Sequence, residues 1–505
     1  NLNNGKKILL VDRNLPETTL LDSYFTYILN KKYKFDIFLL TSQSEKNQLN
    51  QIYKSFNLKN IFNINIKKNI YSLDLIIKSL IYFIPSFFIV LFNSRKKFIE
   101  NFKINQVHFG DVIYDHFIRQ DNQYDKKSLF CYKFLKLILI TLYKFFYIKK
   151  LIIKNKFDFI ISHTHTYASN SAIAMRIALK NNIKVINILS SRIRIYNKLS
   201  QSYRSELFLD LNNVKNIKKV DKKWKSKIDT YLDKRFKGKI KHHNTLDAYA
   251  KKNTNVKKFF SRKKYKKVIL FAPHAFADAN HAFGKLIFDS YYHQFLETLK
   301  IAEKTKDYLW IIKNHPTNYK FKSKRYKLGE EEIVINQLKN FQQKNIIYCP
   351  SNLSTKSLID FSDLVITGRG SIGLESAILG KKPLLCGENF YSNLGFTINA
   401  KNINNYKKII LNPKTNYKLN KSKIFLAKKA FYIFAFKNSY LKEDMIERNN
   451  YIHIDSKKKI TQKFFSIEEY LKRFINTLKI YKNKIIHDRI FKHFENEFEK
   501  LLKKT

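Results

Sequence analysis

Residues 367–387 read TGRGSIGLESAILGKKPLLCG, the order of a phosphate-binding turn. Gly368, Gly370 and Gly373 follow the apolar run Leu364, Val365, Ile366 and open a short expected helix. A helix start offers backbone N–H groups without helical partners and the positive end of the helix dipole, and both attract phosphate. Ser371 is placed to cap that helix and to donate to a phosphate oxygen. Glu375, one turn on, is placed to accept from ribose hydroxyls. Only 11 glycines occur in 505 residues and five fall in this window, so the backbone there must turn tightly or meet a ligand closely. The competing reading is a capped helix of a Rossmann-like sheet that holds no ligand.

Four further groups carry chemistry. Lys313-Asn314-His315-Pro316 ends an expected strand, and a histidine held there by a proline faces a cleft, ready to donate to a phosphate or carboxylate. Ala272-Pro273-His274, Asp278 and Asn280 put polar groups at the carboxyl end of another strand, or form a plain polar loop. Asp111 and Asp115 share one face of an expected helix, with Arg119 four residues further to pair with Asp115. That set is either a solvated ion pair or a catalytic carboxylate oriented by its arginine; Asp278 is the alternative carboxylate. His163 and His165 lack a third ligand, so a loop or cleft role without metal is expected.

Such residues need sheets to hold them. Two zones alternate short apolar runs with helical patterns, the sign of parallel βαβ units. The first predicts strands over 7–11, 35–40, 157–162 and 183–189, with helices over 17–29 and 168–180. The second predicts strands over 267–272, 308–313, 345–348, 364–367 and 383–386, with a helix over 286–305. The expected organisation is an N-terminal Rossmann-like domain over 1–214, a basic linker over 215–266, a second Rossmann-like domain over 267–410 and a helical, basic tail over 411–505. In open α/β sheets ligands sit outside the carboxyl ends of the strands.

The formal net charge is +56, from 96 basic and 40 acidic residues. It favours an anionic partner, but lysine, asparagine and isoleucine crowd the whole chain in the manner of AT-rich coding, so charge alone names none. No zinc-finger spacing or other nucleic-acid motif is present. Three isolated cysteines exclude a disulfide framework and fit a reducing compartment. The start shows no signal-peptide pattern. Residues 79–94 are uncharged but contain Pro85 and fall short of the ~20 residues a spanning helix needs; a helix packed on the protein itself is the expectation. Residues 129–154 interleave aromatic and basic side chains, and there an interface-lying and a self-packed helix stand equal.

The segments GDVIYDHFIR, APHAFADAN, IIKNHP and TGRGSIGLESAILGKKPLLCGENFYSNLGFT together resemble the bacterial capsule polysaccharide synthesis glycosyltransferases, the family that includes capsule Kdo transferases. The resemblance covers roughly 110–119 and 267–397. It implies a GT-B-like enzyme, two Rossmann-like domains facing a cleft, that needs neither metal nor cofactor. The second domain would hold a nucleotide-sugar donor through His274, Asn280, Lys313, His315, Ser371 and Glu375, with Gly370 and Gly373 letting the backbone approach. Asp111 or Asp115 would be the catalytic carboxylate. Arg369 stands where the family pattern has a smaller residue, as an added or altered phosphate contact. The implied donor is CMP-Kdo or another nucleotide sugar. The acceptor is lipid-linked or glycan, with the basic surface resting on the anionic inner face of the cytoplasmic membrane and no nucleic acid bound. Two other readings stand beside it: a glycerophosphate or sugar-phosphate polymer transferase, and a non-catalytic scaffold that binds polysaccharide or membrane.

Overall fold

The computed structural model describes most of residues 5–437; stretches such as 14–18, 43–52, 65–72, 121–127, 204–213, 216–222, 240–254 and 316–329, and everything past 437, lie outside the described residues. Most of the helix expected over 17–29 and most of the tail over 411–505 therefore fall outside them.

The first domain is built on β1 (Lys7–Val11), β2 (Asp36–Thr41), β3 (Asn60–Asn63) and, after a helical excursion, β6 (Phe159–Ser162), β7 (Lys184–Leu189) and β8 (Arg192–Tyr196). The excursion holds α1 (Leu73–Phe92), α2 (Arg95–Asn101), the small hairpin β4 (Lys103–Ile104) and β5 (Val107–His108), α3 (Gly110–Arg119) and α4 (Tyr132–Asn155). Helix α5 (Asn170–Lys180) links β6 to β7. The sheet order is β3-β2-β1-β6-β7-β8, parallel except for β8 against β7.

Next comes α6 (Trp224–Phe236), then the second sheet: β9 (Lys267–Ala272), α7 (Tyr291–Lys304), β10 (Tyr308–Ile312), α8 (Glu330–Phe341), β11 (Ile346–Tyr348), α9 (Thr355–Phe361), β12 (Leu364–Thr367), α10 (Ser371–Ile378), β13 (Leu384–Leu385) and β14 (Ile398–Asn399). Helices α11 (Ile403–Leu411) and α12 (Lys421–Tyr432) complete it. Its order, β11-β10-β9-β12-β13-β14, repeats the first sheet's permutation, with the first and fourth strands adjacent at the centre. Strand β9 is buried at all six positions, as continuous apolar runs are when helices cover both faces of a parallel sheet. The expected pair of Rossmann-like α/β domains, a GT-B-like arrangement, is what the chain forms.

Two expectations change. The helix expected from 286 starts at Tyr291, capped by Ser290, because Leu286 and Ile287 instead pair with the backbone at Gly387 and Cys386. The basic segment expected as a linker contains α6, whose Trp224, Ile228 and Leu232 bury against α10 and α12. Each such apolar side chain contributes ~1.5–3 kcal/mol on burial, so this part of the segment belongs to the second domain's core.

Candidate functional site

Register sets the site. Ala272 lies beside Thr367, and Phe271 beside Ile312, so the residues leaving β9, β10 and β12 emerge at one level. Between β9 and β12 the connections diverge to opposite sides, which opens the crevice where α/β sheets bind ligands. His274 emerges from β9 and His315 from β10. Their rings stack at 5.2 Å, and His274 also stacks on Tyr291 at 4.5 Å. Burial, and next His274, hold His315 down to about 3, against the opposing pull of Asp278. Burial also lowers His274. Both imidazoles are therefore neutral at pH 7, hydrogen-bonding groups rather than cations.

On the β12 side the turn leads into α10 with Gly370 at the N-cap and no side-chain cap. Ser371 does not cap the helix as expected; it is the first helical residue, and its hydroxyl has no partner among the described residues. The glycines are required by protein side chains. A Cβ at Gly373 would lie 2.3 Å from Tyr391 Oη, and one at Gly368 2.9 Å from the Tyr291 ring. At Gly370 the Tyr391 hydroxyl donates to the carbonyl at 2.6 Å. Arg369 is buried, and its guanidinium is taken up by protein groups. Its Nε donates to Glu388 O at 2.7 Å, Nη1 to Asn280 O and to Tyr291 Oη at 3.1 Å, and Nη2 to Gly284 O at 2.5 Å. The guanidinium thus fastens the 280–284 loop to the turn. Glu375 is buried, with Oε1 held by Arg235 of α6 at 2.6 Å. Asn280 uses its amide inside the protein, accepting from Tyr291 N–H at 2.6 Å and donating to Phe276 O at 3.2 Å. Lys313 extends β10, its N–H donating to Phe271 O at 2.9 Å.

The three carboxylates differ. Asp111 is clasped bidentately by Arg176 of α5, at 2.7 and 2.6 Å. Burial alone would raise its carboxyl, but Arg176, with His108, holds it at about 2. Asp115 is fully buried and accepts from the N–H groups of His281 at 2.8 Å and Ala282 at 2.9 Å, and from His281 Nδ1 at 3.1 Å. Both oxygens of each are engaged, those of Asp111 inside the first domain and those of Asp115 across to the second. Arg119 does not pair with Asp115. It donates to the Tyr167 hydroxyl and lies 4.5 Å over its ring. The Tyr167 hydroxyl in turn donates to Asp278 Oδ1 at 3.1 Å, bridging the domains. Asp278 Oδ1 also accepts from Ala279 N–H at 2.8 Å, whereas Oδ2 makes no hydrogen bond among the described residues and lies 3.8 Å from His274 Nδ1, with the side chain 41% exposed. Burial would raise this carboxyl; His274, the Ala279 N–H, Arg119 and His315 bring it below its ordinary value.

Tyr167 adopts φ 59°, a left-handed conformation costing a tyrosine ~1–2 kcal/mol, so the bridge holds local strain. A cavity of about 320 Å³ also lies between the domains, lined by His108, Asp111 and Tyr203 on one side and His281, Lys285 and Asp289 on the other. His163 and His165 sit buried in the first domain, His163 2.8 Å from Asp22. No group of three or more His, Cys, Asp or Glu able to hold a metal occurs among the described residues.

Sequence reasoning missed Arg176, Tyr167, Arg235 and His281. Arg176 left a signal, a cation in the middle of the apolar run IAMRIAL. The others gave none apart from polarity.

Residues 210–433 match the family described as "Capsule polysaccharide biosynthesis protein", and over them the resemblance read from the sequence is borne out. The sequence matches no curated protein. Among solved structures, the β-Kdo 2,4-transferase KpsC of Thermosulfurimonas dismutans is similar at 11% identity, covering 54% of this chain and 79% of that one, with a TM-score of 0.33. The β-Kdo 2,7-transferase of the same KpsC is similar at 16% identity, covering 56% and 79%, TM-score 0.30. The UDP-GlcNAc 2-epimerase of Neisseria meningitidis bound to UDP-GlcNAc is similar at 15% identity, covering 85% and 98%, TM-score 0.28.

Proposed function

We propose that this chain, which carries a capsule polysaccharide biosynthesis domain over 210–433, is a glycosyltransferase of bacterial surface polysaccharide synthesis. Its donor is a nucleotide-activated sugar, CMP-Kdo first among them, and its acceptor a membrane-associated glycan or lipid in the cytoplasm. One observation carries the reading: the second sheet's central crevice combines an uncapped helix start and a free Ser371 hydroxyl with a stack of neutral imidazoles. At the Tyr167 bridge beside it lies a carboxylate with one oxygen that makes no hydrogen bond among the described residues.

In this reading the donor phosphate meets the first N–H groups of α10 and the Ser371 hydroxyl. His274 and His315 contribute hydrogen bonds without a charge of their own, and no metal takes part. The acceptor hydroxyl gives its proton to Asp278 Oδ2 as its oxygen bonds to the anomeric carbon. The bond from that carbon to the phosphate oxygen breaks, and its electron pair leaves with the nucleotide. Arg119 and Tyr167 hold Asp278 in place. Asp111 braces the first domain through Arg176, Asp115 ties it to the second through His281 and Ala282, and neither takes the acceptor's proton.

Purified protein incubated with CMP-Kdo and a lipid-linked acceptor is expected to release CMP in step with sugar transfer. Release of UDP or CDP from the corresponding donors, with CMP-Kdo inert, reassigns the donor. No nucleotide release from any of them sinks the transferase reading and leaves the scaffold.

A further inference from the structure

Helix α1 is built inside out for water. Its inward face holds Leu75, Ser79, Ser86 and Val90, and the two serine hydroxyls fold back onto the carbonyls of Leu75 at 2.6 Å and Tyr82 at 2.7 Å. Its outward face presents Leu73, Ile77, Ile81, Ile84, Phe88 and Phe92, between 48% and 77% exposed, spaced by three or four residues along one stripe. The helix runs 20 residues, and an 18-residue stretch of it has a mean hydropathy of 2.3. Its two charged side chains lie off the stripe: Asp74 pairs with Lys150 at 2.8 Å and Lys78 covers the Phe146 ring at 5.6 Å. Phe130 and Tyr132 widen the patch, the Phe130 ring 5.3 Å from Phe87. A contiguous apolar surface of this kind marks an interaction face.

We infer that this outward face is the surface by which the protein lies on an anionic lipid bilayer, with α1 flat in the interface. Charge selects the occupant. The stripe is uncharged, whereas Arg95, Lys96 and Lys97 follow its end, Lys133 and Lys136 flank Tyr132, and the chain carries +56 overall. Apolar stripes rimmed by lysine and arginine suit the boundary between acyl chains and acidic headgroups. Helix α1 does not span, because its other side is packed on the domain: Tyr82 meets Phe146 at 4.9 Å and its hydroxyl donates to Asn105 Oδ1 at 3.2 Å. The helix expected from the sequence to pack on the protein does so through one face. The placement also deepens the transferase reading, on which this part rests. Helix α1 runs into α2, whose Lys96, Ile99 and Glu100 line the interdomain cavity, so the membrane-facing helix leads along the chain to the space between the two domains.

Flotation of the full chain with vesicles of equal parts phosphatidylcholine and phosphatidylglycerol tests this. The wild type is expected to float with these vesicles, to release as salt rises, and to ignore vesicles of phosphatidylcholine alone. The triple variant Ile81→Ser, Ile84→Ser, Phe88→Ser should lose vesicle binding at least tenfold while nucleotide release with a soluble acceptor is unchanged. A single reporter, Ile84→Trp, should shift its emission to the blue when vesicles are added. Full binding by the folded triple variant, or an unshifted emission from the Ile84→Trp variant in protein that floats, overturns the inference. So does a wild-type dimer that the triple variant dissolves and that never binds vesicles, since the face is then covered by a second copy. Wild type that floats with the vesicles yet releases no nucleotide counts instead against the transferase reading alone.

Discussion

The two sheets share one strand permutation, yet their central crevices differ in chemistry. In the first domain the described polar side chains at the carboxyl ends of β1, β2 and β6 bond to one another. The Tyr53 hydroxyl donates to Asp12 at 3.0 Å, Thr41 donates to the same carboxylate at 3.1 Å, and His163 meets Asp22 at 2.8 Å, all buried. The following helix, α5, is capped by the Ser169 hydroxyl, which accepts from Ala172 N–H. In the second domain the crevice between β9 and β12 has a glycine turn, and α10 begins without a side-chain cap. The comparison teaches that topology supplies the place for a ligand, and that the cap decides whether a helix start is left for one. The first domain caps its helix start with a side chain; the second leaves its own without one.

The largest effect should come where the domains meet. Asp278→Asn is expected to cut turnover by ~10²–10⁴-fold with nucleotide affinity retained, the usual range for a lost general base; steady-state kinetics beside calorimetric nucleotide titration reads it. If that variant turns over normally, the catalytic carboxylate lies elsewhere and the free Oδ2 has misled.

Asp111→Asn should act differently. It leaves Arg176 buried without its counter-charge, which costs ~3–5 kcal/mol of stability, visible as a large fall in Tm. An equally stable but inactive protein would return Asp111 to the chemistry. The same pair predicts a pH dependence. The Asp111 carboxyl is at about 2 in the folded chain and ~3.9 when unfolded. Its depressed value means that the stabilisation is fully present above pH ~4 and disappears as pH falls toward 2, ~2–3 kcal/mol in all. Urea unfolding across that window should show a steeper loss for wild type than for the Asn variant.

Smaller again is Gly373→Ala. Its Cβ would meet Tyr391 Oη at 2.3 Å, so ~1–3 kcal/mol of overpacking is expected. The double variant Gly373→Ala, Tyr391→Phe should recover part of it. No recovery would mean that the glycine is held by something other than this contact.

Much of the fold was legible in the sequence because buried parallel strands are continuous apolar runs. KVILFA and LVIT needed no partner to be recognised. The crevice was legible for the same reason, since glycine clusters mark tight backbone. What each side chain does there was not. Glu375 read as a ribose ligand, but its partner Arg235 comes from 140 residues away, within a stretch that looked like linker. Asp111 and Arg119 share a helix, yet Asp111 pairs with Arg176, 65 residues on. Helical spacing shows which residues share a face; it does not show which distant residue packs on that face. Arg369 looked like a phosphate ligand because arginine often is one, and only the carbonyls gathered around it reveal a clamp.

The most direct test of the open helix start is a calorimetric titration of CMP and UDP into wild type, Ser371→Ala and Ser169→Ala. Loss of a hydrogen bond to a charged group is worth ~1.5–3 kcal/mol, so Ser371→Ala should weaken CMP binding by about tenfold or more. Ser169→Ala should lower stability by ~1 kcal/mol and leave nucleotide affinity as in wild type. No nucleotide binding by wild type, or equal weakening by both variants, would contradict the assignment of the second crevice as the donor site.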